Sequence, residues 1–264
     1  MGTILDKIIA QKHRELGEIK HALEEKRGQD NYFKRSFLEK LKPADELKII
    51  AEFKRASPSK GDINIGADPQ AQARAYVEFG ADAISVLTDK SFFKGSFADL
   101  EAVRAAVDSP ILCKDFMIDR SQIELAKRSG ANIILLIAAA LEKEQLKELY
   151  NFSIANGLEV LIEVHNAREL ETALETGTKL IGVNNRDLKT FKVDLGVTET
   201  LAPQIKKSGA FLISESGLKT KADVERAVRA GANGILVGEA LMAAGSLEEQ
   251  LKGMKVPVMK AEQR

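Results

Sequence analysis

Short apolar runs alternate with helical patterns along most of this chain, and this alternation limits the folds that it can adopt. Each run has four to six residues, and helical patterns separate most of them. Strands that are buried on both faces of a parallel sheet read as such nearly continuous apolar runs. The eight runs lie at residues 49–53, 83–87, 111–114, 132–137, 159–164, 180–184, 210–214 and 234–237. Eight strands with intervening helices predict an α/β fold, a single (β/α)8 barrel.

A repeated tripeptide supports this architecture. Gly80-Ala81-Asp82, Gly130-Ala131-Asn132 and Gly231-Ala232-Asn233 each follow a helical pattern and precede a strand, and Gly177-Thr178-Lys179 does so less faithfully. Glycine suits the left-handed position that ends a helix. The main alternative is an open doubly wound sheet that binds a dinucleotide. Neither the G-x-G-x-x-G nor the phosphate-loop motif occurs in the sequence, so we favour the barrel.

The first 48 residues differ from the rest. Charged residues are dense from 6 to 28, and the apolar residues recur at helical spacing, which predicts an amphipathic helix that ends near Gly28. A second helix is predicted over 32–41, stopped by Pro43. We therefore expect residues 1–48 to form a helical extension packed on a barrel of residues 49–264, in one domain overall.

Composition excludes several classes of protein. The chain has 39 Lys and Arg against 39 Asp and Glu, so zero net charge argues against a nucleic-acid partner. The longest apolar run, 133–141, is too short to span a membrane, and charges occupy the N-terminal positions where a signal peptide would be apolar. A single cysteine favours a reducing compartment, so we expect a cytoplasmic protein without a membrane partner.

Polar side chains gather where the predicted strands end. Buried polar groups are costly unless they are paired or functional, and barrel active sites form at the carboxyl ends of the strands. The alternative is that these charges only neutralise one another in a structural network. The rim residues are Glu52, Lys54, Lys114, Glu163, Asn184, Arg186, Glu215 and Ser216. So many polar side chains on one rim favour an active site over a structural network.

Two further features point to a phosphate ligand. Gly217 and Gly238 follow the last two strands and precede helical patterns at 220–230 and from 240 onward. Backbone N–H groups at such positions can bind phosphate, although both glycines could serve only the turns. The segment 55–68 is long for a connection in a barrel and carries Lys60, so it is either a mobile lid or an ordinary surface loop.

The remaining histidines and the cysteine are assigned no chemistry. His13 and His21 lie on the charged N-terminal helix, where solvent is expected to reach them. His165 has no histidine or cysteine at metal-binding spacing, so no metal site is predicted. Cys113 is adjacent to Lys114 in an extended segment, so it should face the helices rather than the barrel interior.

Six stretches of the chain resemble the indole-3-glycerol phosphate synthase family. They lie in register on predicted strands 1, 2, 3, 5, 6 and 7, and the resemblance covers the whole chain. The stretches are IAEFKRASPSKG at 50–61, LTD with FFKGS at 87–96, LCKDF at 112–116, LIEVH at 161–165, IGVNNRDL at 181–188 and SESG at 214–217.

This resemblance implies a reaction. An aromatic carbon of 1-(2-carboxyphenylamino)-1-deoxyribulose 5-phosphate attacks the ribulose carbonyl and closes a five-membered ring. Carbon dioxide and then water leave, which gives indole-3-glycerol phosphate. The family implies a phosphosugar substrate and no cofactor, and association with other enzymes of tryptophan biosynthesis is a further hypothesis.

The resemblance also implies roles for the catalytic residues. Lys114 would be the general acid that protonates the carbonyl oxygen. Lys54 would contact the substrate carboxylate, and either Lys54 or Glu163 would be the acid in dehydration. Glu163 would serve the later proton transfers. The side chains that would hold the hydroxyls and the carboxylate pose are those of Glu52, Asn184 and Ser216.

The remaining site residues would bind the substrate. Arg186 would anchor the anthranilate carboxylate by charge-assisted hydrogen bonds, Phe93 would pack on the aromatic ring, and Glu215 would also bind substrate. The phosphate would be held by Ser57, Gly217, Gly238 and the backbone of Glu239. The Glu239 carboxylate must then point away from the phosphate.

Three other readings compete. Phosphoribosylanthranilate isomerase is a related barrel, but it needs a cysteine base and an aspartate acid that face the site. The first strand has no cysteine, and Cys113 is expected to face outward. A non-catalytic phosphosugar-binding barrel would lack paired acids and bases. A scaffolding protein would not need a buried charged rim.

Overall fold

The computed structural model describes residues 2–28, 32–42 and 44–258. In chain order its strands are β1 (Lys48–Phe53), β2 (Ala56–Ser57), β3 (Gly61–Asp62), β4 (Ala83–Leu87), β5 (Ile111–Lys114), β6 (Ile133–Ile137), β7 (Glu159–Val164), β8 (Leu180–Asn184), β9 (Phe211–Glu215) and β10 (Gly234–Val237). All except β2 and β3 pair in parallel in a closed barrel of eight strands, with β1 between β4 and β10. The predicted (β/α)8 barrel is confirmed.

In the described residues, two helices precede β1, and the others lie between or after the barrel strands. The helices are α1 (Ile4–Glu25), α2 (Phe37–Leu41), α3 (Pro69–Glu78), α4 (Lys90–Phe93), α5 (Phe97–Ala106), α6 (Arg120–Arg128), α7 (Lys143–Ala155), α8 (Ala167–Leu174), α9 (Gly196–Ser208), α10 (Lys221–Ala230), α11 (Glu239–Met242) and α12 (Leu247–Met254). A 3₁₀ turn, Ala138–Ala140, follows β6. No helix in the described ranges has both the length and the apolar character needed to cross a bilayer.

The repeated glycines end helices as the sequence predicts. Gly80, Gly130, Gly177 and Gly231 have φ angles of +101°, +102°, +81° and +115°. An L-residue side chain disfavours this left-handed backbone, whereas glycine adopts it without a steric penalty. Each helix can therefore stop and the next strand can begin within a few residues.

The barrel strands bury side chains on both faces. Because side chains alternate along a strand, one set packs inside the barrel and the other packs against the helices. The interior set includes Ile50, Leu112, Leu135, Leu161 and Ile213. The outer set includes Ile49, Ala51, Cys113, Ile134 and Ile162. This double burial explains why the strands read as nearly continuous apolar runs.

Helix α2 covers the amino-terminal end of the barrel. Phe37 and Leu41 join the interior cluster, and the Glu159 carboxylate accepts hydrogen bonds from the backbone N–H groups of Phe37 at 3.0 Å and Leu38 at 3.2 Å. The sequence predicts this helix from residue 32, which is wrong at its start. Ser36 caps the helix because its Oγ accepts from the N–H of Glu39. Pro43, predicted to stop it, lies outside the described residues.

Three other boundaries differ from the sequence pattern. The first helix starts at Ile4, where Thr3 and Asp6 form a capping box, and ends at Glu25. The pattern after β8 is unclear in sequence, yet α9 begins at Gly196. The helical pattern from 240 onward divides into α11, a single turn, and α12. The division of the domain at residue 48 stays a prediction.

The segment after β1 contains secondary structure that the sequence pattern does not predict. Strands β2 and β3 pair as a short antiparallel hairpin inside residues 55–68. Arg55 anchors its base, since the guanidinium donates to both carboxylate oxygens of Asp99 at 2.6 and 2.8 Å. Its role as a mobile lid stays a prediction.

Candidate active site

A cavity of about 490 Å³ lies at the carboxyl ends of the barrel strands. All the residues that the sequence predicts for the site line it, although they come from most of the strands. They are Glu52, Lys54, Ser57, Phe93, Lys114, Glu163, Asn184, Arg186, Glu215, Ser216, Gly217, Gly238 and Glu239. The structure thus brings the predicted residues together, and the role of each one stays a prediction.

Lys114 lies between two buried carboxylates. Its Nζ is 2.8 Å from Oε2 of Glu163 and 2.6 Å from Oε2 of Glu215. Burial alone would lower the pKa of Lys114, but the negative charges of Glu163 and Glu215 outweigh it and raise the pKa above its usual value. Lys114 therefore keeps its proton until a stronger base forms beside it.

The two carboxylates that share Lys114 differ in their pKa. Burial would raise the pKa of Glu163, but the charge of Lys114 and the adjacent His165 hold it well below its usual range. Burial raises the pKa of Glu215 to about 7. The positive charge of Lys114 opposes this rise, and the negative charge of Glu163 adds to it. One ionised and one readily protonated carboxyl group therefore face the same ammonium, an arrangement suited to proton transfer.

A glycine in β8 provides the space for Glu215. A Cβ at Gly182 would lie 2.1 Å from Oε1 of Glu215. Real Cβ atoms do not approach so closely, so any larger residue at position 182 would force the Glu215 carboxylate to shift. The sequence alone does not identify Gly182 as a site residue, because it lies in the middle of an apolar run.

A second ion pair lies at the end of β1. Lys54 Nζ is 2.6 Å from Oε1 of Glu52. Asn184 connects the neighbouring groups, since its amide donates to Oε1 of Glu163 at 3.1 Å and its carbonyl oxygen accepts from the backbone N–H of Arg186 at 3.0 Å. The rim therefore holds two lysine–carboxylate sets that are fixed by hydrogen bonds.

The Glu239 carboxylate contacts two cations. Its Oε1 lies 3.3 Å from Nζ of Lys60, and its Oε2 lies 3.7 Å from Nη2 of Arg186. Ser216, Gly217 and Gly238 also line the cavity, and Ser216 has an unusual φ of +65° for a residue with a side chain. The Glu239 carboxylate is therefore paired with two cations of the cavity lining that an anionic substrate would otherwise contact.

Part of the cavity wall is apolar. Phe93 and Phe116 pack with their ring centroids 5.9 Å apart. Helix α1 adds Leu5 and Ile8 to the lining, which the sequence analysis missed. Their helical spacing shows a buried face but not which surface it covers. An aromatic ligand with an anionic end fits a cavity with one apolar wall and one charged wall.

His165 lies directly behind Glu163. Its Nε2 is 3.4 Å from Oε1 of Glu163, and its Nδ1 is 3.0 Å from Oε2 of Glu169. Burial opposes the charged imidazolium, but the two carboxylates outweigh burial and raise the pKa of His165 to about 10. No group of three or more His, Cys, Asp or Glu side chains could hold a metal ion in the described part of the chain.

The His165→Gln variant is expected to be less stable in a pH-dependent way. Because the folded pKa of about 10 exceeds the unfolded value of 6.5, the stabilisation is complete below pH 6.5 and is lost as pH rises through about 10. We expect a loss of at least about 1.4 kcal/mol near pH 6 and a much smaller loss near pH 10, measured by denaturant unfolding. His13→Gln, at an exposed position, is the control. Equal losses at both pH values would contradict the charged state of His165.

Cys113 lies outside the cavity, as its position in the strand predicts. The side chain is fully buried in the outer apolar cluster. Burial raises the pKa of its thiol well above the usual value, so a thiolate base is strongly disfavoured. His13 and His21 are exposed, as expected for the charged face of α1.

Comparisons with known proteins show the family to which this chain belongs. A sequence model of the family described as "Indole-3-glycerol phosphate synthase" matches residues 5–254. Proteins with that name from Bacillus mycoides (strain KBAB4) and Bacillus cereus (strain G9842) are 49% and 48% identical, each over 98% of this chain and 100% of the relative. A thiamine phosphate pyrophosphorylase structure from Pyrococcus furiosus has a TM-score of 0.58 at 18% identity, over 79% of this chain and 93% of that one, and shows the fold alone. The chain belongs to the indole-3-glycerol phosphate synthase family.

Proposed function

We propose that this protein is a carboxy-lyase that converts 1-(2-carboxyphenylamino)-1-deoxy-D-ribulose 5-phosphate to indole-3-glycerol phosphate, carbon dioxide and water. This is a step of tryptophan biosynthesis. The observation that carries the proposal is the contact of Lys114 Nζ with the Glu163 and Glu215 carboxylates inside the cavity, in a chain of this family. Such a cluster supplies a proton donor beside proton acceptors.

Ring closure needs a proton at the ribulose carbonyl. The aromatic carbon that bears the carboxylate forms a bond to the carbonyl carbon, and the carbonyl electron pair moves to oxygen. Lys114 gives its proton to this oxygen, which becomes a hydroxyl group. Because the alkoxide is a stronger base than an amine, the transfer is favourable even from a lysine of raised pKa.

Two losses complete the reaction. The carboxyl group leaves as carbon dioxide, and its bonding electron pair returns to the ring and restores aromaticity. The new hydroxyl group then leaves as water with one added proton, while the neighbouring carbon gives up a proton to form the indole double bond. Glu163 is proposed for these proton transfers, and either Glu163 or Lys54 supplies the proton to the hydroxyl group.

The remaining lining residues are proposed to hold the substrate. Glu52, Asn184 and Ser216 bind the hydroxyl groups and orient the carboxylate, and Arg186 anchors that carboxylate. Glu215, which contacts Lys114, also binds the substrate. The aromatic ring rests on Phe93. The phosphate is assigned to Ser57, Gly217, Gly238 and the backbone N–H of Glu239. Since α11 is a single turn, its backbone N–H groups rather than a long helix dipole would bind the phosphate.

The Gly238→Asp variant tests the phosphate position. A carboxylate there would repel the phosphate, and even a Cβ would lie 2.5 Å from Oε1 of Glu52. We expect KM for the substrate to rise at least about tenfold, equivalent to about 1.4 kcal/mol of binding energy. Gly245→Asp is the matched control, because a Cβ at Gly245 has no neighbour within 4 Å. An unchanged KM would place the phosphate elsewhere.

A fluorescence assay tests the activity itself. The chain has no tryptophan and three tyrosines, so indole emission from a product is readily detected. We expect emission to rise with time after the carboxyphenylamino-deoxyribulose phosphate is added. If the substrate bound but no indole emission appeared, the protein would be a non-catalytic barrel that binds a phosphosugar. Conversion of phosphoribosylanthranilate would instead support the isomerase, although Cys113 is turned away from the cavity.

The setting of the enzyme is also proposed. The single cysteine supports a reducing compartment, and we propose the cytoplasm. Association with other enzymes of tryptophan biosynthesis is proposed only from the shared pathway. Co-elution with those enzymes from a native extract would support the association, and separate elution would argue against it.

A further inference from the structure

A buried lysine of the N-terminal helix lies among three carboxylates, of which one belongs to a residue of the cavity lining, Asp115. Lys12 is 2% exposed, and its Nζ lies 2.8 Å from Oδ2 of Asp89, 2.8 Å from Oδ1 of Asp115 and 3.1 Å from Oε2 of Glu15. Burial alone would lower the pKa of Lys12, but the charges of Asp115 and Asp89 raise it above the usual value. The proposed chemistry uses none of these four groups.

Asp115 belongs to the chain segment that carries the proposed acid. It follows Lys114 directly, at the end of β5. Its Oδ1 accepts from the backbone N–H of Phe116 at 2.7 Å, and its Oδ2 accepts from Oγ1 of Thr88 at 2.6 Å. Asp115 therefore ties the end of β5 to the end of β4 and has its Oδ1 against Lys12.

Asp89 belongs to the segment that carries the aromatic wall. Its Oδ1 caps α4 by accepting from the backbone N–H groups of Phe92 at 2.7 Å and Phe93 at 3.2 Å. Its Oδ2 faces Lys12. Helix α1 makes a second contact with this segment, since Ser91 donates to Oε1 of Glu15 at 2.9 Å.

The same face of α1 reaches the cavity. Leu5, Ile8 and Lys12 are three and four residues apart, so their side chains share one face of the helix. All three are buried, and Leu5 and Ile8 line the cavity. Lys12 thus joins three parts of the site: the α1 wall, the segment that positions Phe93 and the segment that positions Lys114.

We propose that Lys12 is a positioning residue of the reaction, which holds α1 and the segments after β4 and β5 in the arrangement that places Lys114 and Phe93 on the substrate. This inference rests on the proposed function. Without the ammonium group, the Asp89 and Asp115 carboxylates would remain buried beside each other with no shared cation. Such a site relaxes by separating its charges or by taking up a proton, and either change moves the segments attached to it.

The test compares Lys12→Met with Lys20→Met, an exposed lysine on the same helix. Both are assayed for indole formation at saturating substrate, at a temperature where circular dichroism shows that each is folded. We expect kcat of Lys12→Met to fall at least tenfold and kcat of Lys20→Met to stay within twofold of the wild type. A folded Lys12→Met with kcat within twofold of the wild type would show that Lys12 serves stability alone and would overturn the proposal.

A second variant separates positioning from loss of fold. Asp89→Asn keeps an oxygen that can cap α4 but removes the charge opposite Lys12, so we expect it to fold and to lose kcat at least fivefold. Adding Asp89→Asn to Lys12→Met removes one of the two facing charges, and kcat should recover at least threefold over Lys12→Met. If Lys12→Met does not fold, an unchanged kcat of Asp89→Asn overturns the proposal. A wild-type protein that forms no indole would instead refute the proposed function.

Discussion

The Lys114→Met variant is expected to lose at least about a thousandfold in kcat for indole formation, within the range seen when a general acid is removed. Methionine has a similar length but carries no proton, so the ribulose carbonyl oxygen would have no donor during ring closure. Substrate affinity should change less than about tenfold, because the phosphate and the aromatic ring are assigned to other residues. Stopped-flow fluorescence and equilibrium binding measure the two quantities separately.

Loss of Lys114 also removes the cation that Glu163 and Glu215 share. Burial raises the pKa of Glu215, and without the ammonium group nothing would lower it, so Glu215 can take up a proton and relieve the repulsion. We therefore expect the variant to fold. Lys147→Met, at an exposed position on α7, is the matched control and should keep full activity. If a folded Lys114→Met variant closed the ring at the normal rate, Lys114 would not be the general acid.

The Glu163→Gln variant is expected to lower kcat about a hundredfold with little change in KM. Glutamine keeps the size of the side chain and can still contact Asn184, but it cannot exchange a proton at neutral pH. The ring-closed intermediates before dehydration should therefore accumulate, and rapid quenching followed by mass spectrometry would detect them.

The control for this variant is Glu171→Gln, an exposed glutamate on α8, which should leave kcat unchanged. The pH dependence of kcat gives an independent check. The pKa of Glu163 is held well below its usual range, so Glu163 should stay ionised and should not titrate near neutrality in the wild type. A normal kcat for Glu163→Gln would show that Glu163 is not needed for dehydration and would assign that proton transfer to Lys54.

Much of the site follows from local sequence. A strand that is buried on both faces should contain no lysine or glutamate in its interior, so Glu52, Lys114 and Glu163 stand out at the strand ends. The barrel topology then brings these ends to one rim, and the cavity lining confirms that they meet. The alternation of side chains also places Cys113 outside, which weakens the isomerase alternative.

Long-range contacts explain what the sequence did not predict. The periodicity of α1 marks Leu5, Ile8 and Lys12 only as parts of a helix, and their burial depends on segments about eighty to a hundred residues away. The start of α2 depends on a cap by Ser36 and on Glu159 of a distant strand. The direction of the Glu239 side chain depends on Lys60 and Arg186, which no local pattern connects.

Decarboxylation with ring closure can be followed through the carboxyl carbon of the substrate. We would supply carboxyphenylamino-deoxyribulose phosphate labelled with ¹³C in the carboxyl group and measure labelled carbon dioxide and indole product in one reaction. We expect the two to form at the same rate and in equal amounts with the wild-type protein, and both to be lost in Lys114→Met. Indole without labelled carbon dioxide, or substrate that binds and is recovered unchanged, would contradict the proposed reaction.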